Sequence, residues 1–461
     1  MYDTEPRGAE TSRRPLLLIG VLLALFLAAA DSTVVVAILP AMVADSGNPE
    51  SYAWLLSAFL FTGVLATPLA GSAGDRFGGR PVMITALLVF AGASVLVAMA
   101  GDMVALIAAR ALQGAGAGAL IAVAYTIIGQ TFDARGRAHM QGLLSAVWGL
   151  AAVFGPLLGT LAESTVGWRW VFWINVPAAV VAGVFVLLFA PPGGNRGTGR
   201  FDVLAWISFA LSLGGLLYLV EGPTGHGLTA LAVAGVVMVS ALVLHTLRVR
   251  ANPRGAVVPT VFVTRAEDRI AALLSMGATV VLYAALMLLP LAVMTLGGAG
   301  RSTSGLIVVF GALGWVLGSA VCARVLTSSG PRTAGVTGGV LLVAGPLVLA
   351  FLPLLGVTAA LVGGLLVGLG TGFVTATALV HAQNSAPPES MGSHTAAITL
   401  CRNIGAAVGI NLFATVQVML AARGGGGGEA TSFPITFVLV AVVGLITALA
   451  TVRLPRRVVS S

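Results

Sequence analysis

Apolar runs of about twenty residues follow one another along this chain, separated by short breaks rich in Arg, Gly, Pro and acidic residues. A transmembrane α-helix needs about 20 mostly apolar residues, because the hydrocarbon core it crosses is about 30 Å thick. Such windows fall near 15–42, 53–72, 81–100, 103–128, 138–161, 169–190, 202–220, 228–247, 270–296, 303–327, 333–353, 357–381, 394–421 and 433–453. The pattern predicts an all-α polytopic membrane protein with fourteen transmembrane helices. An even number puts both termini on one side. The longest break after the first segment, "RVRANPRGAVVPTVFVTRAEDR" at 248–269, separates eight segments from six. "ARGGGGGEATS", before the last segment, reads as a flexible loop.

Composition narrows the class. Of 461 residues 58% are hydrophobic and 9% charged, where soluble domains carry about 25% charged residues. A net charge of +8 would by itself suggest a nucleic-acid partner. Here all 24 basic residues are Arg and are spread over short loops. With the N-terminus inside, 19 fall in cytoplasmic segments, and outer loops hold only Arg169, Arg301 and Arg423. That is the positive-inside pattern, with both termini cytoplasmic and no nucleic-acid face. The apolar run after the polar N-terminal tail is too long for a signal peptide, so the first helix is expected to be retained. Cys322 and Cys401 lie far apart in apolar segments and read as inert buried thiols. His381 and His394 flank one loop and, like His245, read as interfacial residues. No metal-ligand spacing or catalytic constellation is present, so the chain reads as neither an enzyme nor a channel and implies no cofactor.

Three charges interrupt the apolar segments. Asp31 lies in "LAAADSTVVVAILPAM" (27–42), Arg110 in the fourth segment and Arg402 in "ITLCRNIGAAVGIN". Such residues are costly in lipid and mark functional positions. Counted at 1.5 Å per residue, Asp31 and Arg110 lie roughly 16 and 12 Å below the outer surface, so they can meet. A carboxyl that is ionised beside an Arg and neutral in apolar surroundings can carry a proton. Arg402 is followed by Asn403 and by Gly405 and Gly409, a small-residue face suited to close helix packing.

Several motifs fall in a telling order. "GSAGDRFGGR" (71–80), expected as the loop between the second and third helices, resembles the signature loop of the major facilitator superfamily through Gly71, Asp75, Arg76, Gly78 and Arg80. "RALQGAG" (110–116), led by Arg110 and Gln113, is similar to that family's fourth-helix motif. "FGPLLGT" (154–160), with Gly155, Pro156 and Gly159, resembles its antiporter motif, and Pro156 is expected to bend the fifth helix. "WRWVFWINVP" (168–177) opens the sixth helix with Trp168, Trp170 and Trp173, which suit the interfacial belt. "ADSTVVVAILP" resembles the first-helix motif. "RVLTSSGPR" (324–332) echoes the signature loop faintly, with Gly330 and Arg332 matching Gly78 and Arg80.

Together these resemble the fourteen-helix drug:proton antiporter branch of that superfamily. The resemblance implies a major facilitator fold: two six-helix bundles plus two inserted helices. The expected division is a cytoplasmic tail (1–14), an N-terminal bundle (15–191), an inserted helix pair with its loop (192–269), a C-terminal bundle (270–453) and a tail (454–461). It implies a proton-coupled antiporter of a bacterial cell membrane. Such a protein exports amphipathic drugs or antibiotics by alternating access, as a monomer, with the proton gradient as driving force. An exporter of a lipid, siderophore or other endogenous metabolite is the alternative on the same fold. Asp31 and Arg110 would couple protons. Arg402, Asn403, Gln113 and Trp148 would line or gate the substrate path. Gly71, Asp75, Arg76, Gly78 and Arg80 would form a cytoplasmic latch, with Arg137 as candidate partner of Asp75. The sequence departs from the family pattern at Val36, where an Asn is usual, and in "LMLLPLAVMTLGG". Both changes make the expected substrate path more apolar.

Overall fold

The computed structural model describes residues 7–46, 52–191, 202–220, 228–252, 265–296, 301–387, 390–423 and 428–456. Among these, the long elements are all helices: α1 (Arg7–Ser46), α2 (Tyr52–Phe77), α3 (Gly79–Met99), α4 (Met103–Thr131), α5 (Ala134–Thr165), α6 (Arg169–Phe189), α7 (Val203–Val220), α8 (Leu228–Ala251), α9 (Ala266–Leu296), α10 (Arg301–Ser329), α11 (Pro331–Ala350), α12 (Val357–Ser385), α13 (Met391–Arg423) and α14 (Gly428–Thr451). A single turn, Leu352–Leu355, precedes α12.

Twelve of these helices are long and apolar enough to cross a membrane, so the protein is a multi-pass membrane protein. The expected count of fourteen is not supported on that measure. Among the described residues, α5 and α7 are the two helices outside those twelve.

The signature segment also differs from expectation. It was expected as a loop over 71–80, yet α2 runs through Asp75 and Arg76 to Phe77, and α3 begins at Gly79. Only Gly78 turns the chain, at φ 92°. An apolar-window reading stops at the first charge, whereas the backbone of "GSAGDRF" continues the helix.

The chain divides into two compact units. Unit 1 comprises Met1–Thr131, Leu150–Thr198 and Pro387–Ala396; unit 2 comprises Phe132–Gly149, Gly199–Ala386 and Ala397–Ser461. Within unit 1, α1 packs on α4 and α6, α2 on α4, and α3 on α4 and α6. Unit 2 repeats the scheme: α9 packs on α12 and α14, α10 on α12, and α11 on α12 and α14. The turn geometry repeats as well. Gly330, at φ 87°, precedes α11 as Gly78 precedes α3. A side chain would strain either turn.

Small residues let these helices touch. A Cβ at Gly118 of α4 would run into the backbone of Gly63 on α2. In the repeat, a Cβ at Gly368 of α12 would run into the Gly311 carbonyl on α10. In lipid no hydrophobic force drives helices together, so close van der Waals packing of this kind carries the association. Thr62 adds a hydrogen bond across α2 and α4, its Oγ1 donating to the Ala111 carbonyl at 2.6 Å.

Helices α7 and α8 pack on each other. Asp202 caps α7 through the Ala205 N–H at 2.9 Å, and His245 Nδ1 lies 2.8 Å from the Ala205 carbonyl. Only 6% of the apolar window of α8 is buried, against 72% for α4 and 61% for α12. The helices with room for buried chemistry are therefore the inner ones.

Candidate functional site: a buried carboxylate network

Asp31 projects from the middle of α1 and is buried. Its Oδ2 accepts from Arg110 Nη1 at 2.6 Å, and neither side chain is exposed at all. Arg110 and Gln113 stand one helical turn apart on α4, on the same face. Arg110 Nη1 also donates to Gln113 Oε1 at 2.6 Å. That contact fixes the Gln113 amide, so its Nε2 donates to Asp31 Oδ1 at 2.9 Å and to Ser94 Oγ at 2.8 Å. Asn175 on α6 completes the group. Its Nδ2 donates to Asp31 Oδ1 and to Ser94 Oγ, both at 3.3 Å. Ser94 in turn gives its hydroxyl proton to the Phe90 carbonyl at 2.8 Å.

The guanidinium is held on its other side by α2. Its centre lies 4.1 Å from the centroid of the Phe59 ring, and Nε donates to the Leu55 carbonyl at 3.4 Å. Nη2 is buried with no hydrogen-bond partner among the described residues. The pair is thus dry, in contact and nearly saturated. Removing the charge from one member of such a pair typically costs about 3–5 kcal/mol, because the other is left uncompensated. The sequence placed Asp31 and Arg110 at similar depth, and the structure joins them. Gln113, expected on the substrate path, is instead sealed inside this network.

Helix α5 reaches the same stretch of α1. Thr33 Oγ1 donates to the Ala151 carbonyl at 2.8 Å. A Cβ at Gly155 would strike the Thr33 side chain, and one at Gly159 would stand 3.1 Å from the Val34 carbonyl. Both glycines of "FGPLLGT" therefore serve close contact with α1, two to three residues beyond Asp31. The side chains of Pro156 and Val36 lie outside the described residues.

A second acidic group caps a helix. Asp75, buried at the end of α2, accepts from the N–H groups of Gly392 at 2.5 Å and Ser393 at 2.7 Å. These are orphan donors in the first turn of α13, where a carboxylate meets the positive end of the helix dipole. Close approach permits it: a Cβ at Gly71 would meet Ala396 and the Gly392 carbonyl. The expected partner of Asp75 was Arg137. Arg137 instead donates to the Phe132 carbonyl at 2.8 Å, the Gln383 carbonyl at 3.2 Å and Asn384 Oδ1 at 2.8 Å. Two backbone donors satisfy the Asp75 carboxylate without a cation. Arg76 lies against Phe77, 5.1 Å from the ring centroid, and Arg80 is half-buried in the first turn of α3.

In unit 2, Arg402 lies 5.4 Å from the centroid of Trp315, which stacks on Trp148 at 6.3 Å. Trp148 Nε1 is buried without a hydrogen-bond partner among the described residues. Arg402 and Asn403 are half-buried. His381 and His394, expected at the interface, are both buried, because α12 and α13 extend further than their apolar windows.

Trp168 is a further correction to the interfacial belt. Only Trp170 and Trp173 are exposed. Trp168 is buried, and its Nε1 donates to Asp45 Oδ2 at 2.9 Å. Arg169 Nη1 reaches the same oxygen at 2.6 Å. Trp168 and Arg169 hold the Asp45 carboxyl below the usual carboxylate range.

A sequence model of the Major Facilitator Superfamily matches residues 21–410. The chain belongs to the major facilitator superfamily. Among similar proteins, the multidrug transporter protein MdtP of Bacillus subtilis (strain 168) is 29% identical over 423 residues, 89% of this chain and 76% of that one. Multidrug resistance protein 3 of the same organism is 26% identical over 424 residues, covering 90% and 81%. In structure, the chain is similar to the human organic anion transporter MFSD10 (TETRAN), with a TM-score of 0.67, 17% identity and coverage of 97% and 100%. The proton:xylose symporter XylE gives a TM-score of 0.61 at 17% identity, covering 94% and 95%. At that identity the two structures speak for the fold alone.

Major facilitator proteins carry small molecules across membranes, and this one is a transporter rather than an enzyme. The sequence reading found the ion pair of the buried network but missed Ser94, Asn175 and Phe59. Asn175 left a signal, as the one polar residue in "VFWINVP". Ser94 and Phe59 left none, since both suit an ordinary apolar span.

Proposed function

We propose that this transporter is a proton-coupled antiporter that exports amphipathic small molecules from the cytoplasm by alternating access. The observation that carries the reading is the buried Asp31–Arg110 pair at 2.6 Å within a shell of neutral donors. The ionised carboxylate suits that shell. A proton arriving on Asp31 cancels the negative member and leaves Arg110 buried without its counter-charge. The protonated protein then favours any arrangement in which Arg110 finds solvent or another acceptor. If substrate favours the opposite arrangement, inward proton flow drives outward transport. The multidrug names of the similar bacterial proteins support drugs or antibiotics as cargo.

On this reading α5 and α7 also span, giving fourteen helices in a bacterial cell membrane, and both termini are cytoplasmic by the Arg distribution. The helix pair α7–α8 is the insertion between two six-helix bundles. Asp75 on the first turn of α13 is a latch of one conformational state, supported by Gly71 and the Gly78 turn, with Arg76 and Arg80 beside it. Arg402, Asn403, Trp148 and Trp315 contribute an aromatic, cationic wall to the substrate path. The test is ethidium transport in proteoliposomes under an imposed pH gradient. Wild type accumulates or expels ethidium according to the gradient, and Asp31→Asn does not. Gradient-driven transport by Asp31→Asn at the wild-type rate overturns the assignment.

A further inference from the structure

The carboxylate network is complete for an ionised Asp31 and is wrong for a protonated one. Among the described residues, every group hydrogen-bonded to the carboxylate is a donor: Arg110 Nη1 on Oδ2, Gln113 Nε2 and Asn175 Nδ2 on Oδ1. Ser94 cannot supply a second proton, because its one hydroxyl proton goes to the Phe90 carbonyl and its oxygen accepts both amides. A proton on Oδ2 would point at the guanidinium, so Oδ1 is the oxygen that takes it. The new O–H then faces two amide N–H groups and needs an acceptor.

One of the two amides must turn over, and the geometry separates them. Gln113 is gripped by Arg110 at 2.6 Å, and turning it would set its N–H groups against the guanidinium. Among the described residues, the Asn175 amide is held by two bonds of 3.3 Å alone. It stands two residues before Pro177, whose missing N–H leaves α6 one backbone hydrogen bond short. Turned over, its Oδ1 would face Asp31 and accept from the acid. In that orientation it would repel an ionised carboxylate, so each orientation suits one protonation state.

We propose that Asn175 is a positioning residue for the proton carrier, donating to ionised Asp31 and turning over to accept from its protonated form. This rests on the reading of Asp31 as the proton carrier. Among the described residues Arg110 of α4 is the one charged group bonded to Asp31. Gln113 on α4, Ser94 on α3 and Asn175 on α6 are neutral, and α2 and α5 face this region with Phe59 and the Ala151 carbonyl. The bond to the ionised form is charge-assisted and the stronger of the two. Losing Asn175 therefore weakens the carboxylate more than the acid.

The experiment is an infrared pH titration of the purified full-length protein in lipid, reading the carbonyl stretch of protonated Asp31. Asp31→Asn identifies the band by its loss. In Asn175→Ala the midpoint of that band moves to higher pH, by up to about tenfold in proton affinity. The band also moves to higher frequency, because the acid has lost its acceptor. A midpoint or a frequency that stays at the wild-type value overturns the proposal. If Asn175→Ala does not fold, Ser94→Ala, which unmoors the Asn175 amide, is read in the same way with a smaller midpoint shift. If no titrating band is lost in Asp31→Asn, the carrier reading and this proposal fall together. A band lost in Asp31→Asn but unmoved in Asn175→Ala overturns this proposal alone.

Discussion

Asp31→Asn keeps the shape of the side chain and removes its charge. The Asn carbonyl can still accept from Gln113 and Asn175 at the position of Oδ1. What is lost is the 2.6 Å contact with Arg110, whose guanidinium has no exposure and already holds one nitrogen without a partner among the described residues. An uncompensated charge in such a place costs about 3–5 kcal/mol. Arg110→Gln in the same background removes the stranded charge, and replacing both members of a buried pair is often close to neutral. The expected order of thermal stability is therefore wild type, then the double variant close behind, then Asp31→Asn well below. The assay is thermal unfolding of purified protein in one detergent, read by loss of the monodisperse size-exclusion peak across a temperature series. The single variant should fall by several degrees and the double variant should recover most of that loss. A double variant no more stable than Asp31→Asn would refute the reasoning. It would mean that the network depends on shape and not on charge balance.

Further outcomes follow from other contacts. Asp75→Asn turns an N–H group toward one of the two backbone donors of α13, at a cost of about 1–3 kcal/mol. Labelling of reporter cysteines at the two faces should show a population shift of about 5- to 150-fold, the equivalent of that energy, and an unchanged labelling pattern counts against the latch. Gly118→Val drives a side chain into the Gly63 backbone, and yields of folded protein should collapse while Gly235→Val, which meets nothing within 4 Å, is tolerated. The Asp45 carboxyl titrates below its ordinary range in the folded protein, so its contribution is complete above about pH 5 and fades only as pH falls through the lowered value. Asp45→Asn should accordingly change thermal stability by about 1 kcal/mol or less at pH 7, because both partners are substantially exposed, and by progressively less as pH falls through the lowered value. A loss that does not shrink on acidification contradicts the ionic account.

Helix existence was legible because lipid forces nearly every span into one length and one composition. Helix ends were less so. "GSAGDRF" carries charge and small residues, yet its backbone stays helical until Gly78, and the same effect carried His381 and His394 into buried positions. Asp31 and Arg110 were legible because charge in an apolar run is rare and depth can be counted. Asp75 was legible as important but not in its partner. A carboxylate can be satisfied by backbone N–H groups as well as by an Arg, and backbone groups leave no trace in composition. Ser94 and Asn175 show the same limit, since single neutral polar residues in a span serve packing as often as chemistry. Spacing along α4 gave Arg110 and Gln113 one face, but which helices that face meets is a matter of tertiary packing.

The central claim is that Asp31 exchanges a proton in step with substrate. Proton release on ethidium addition to purified protein in weakly buffered detergent tests it most directly, with a pH dye as readout. The account predicts release of up to about half a proton per ethidium bound by wild type at the pH where Asp31 is half protonated, and none from Asp31→Asn that still binds ethidium. Equal proton release from the two proteins would contradict it.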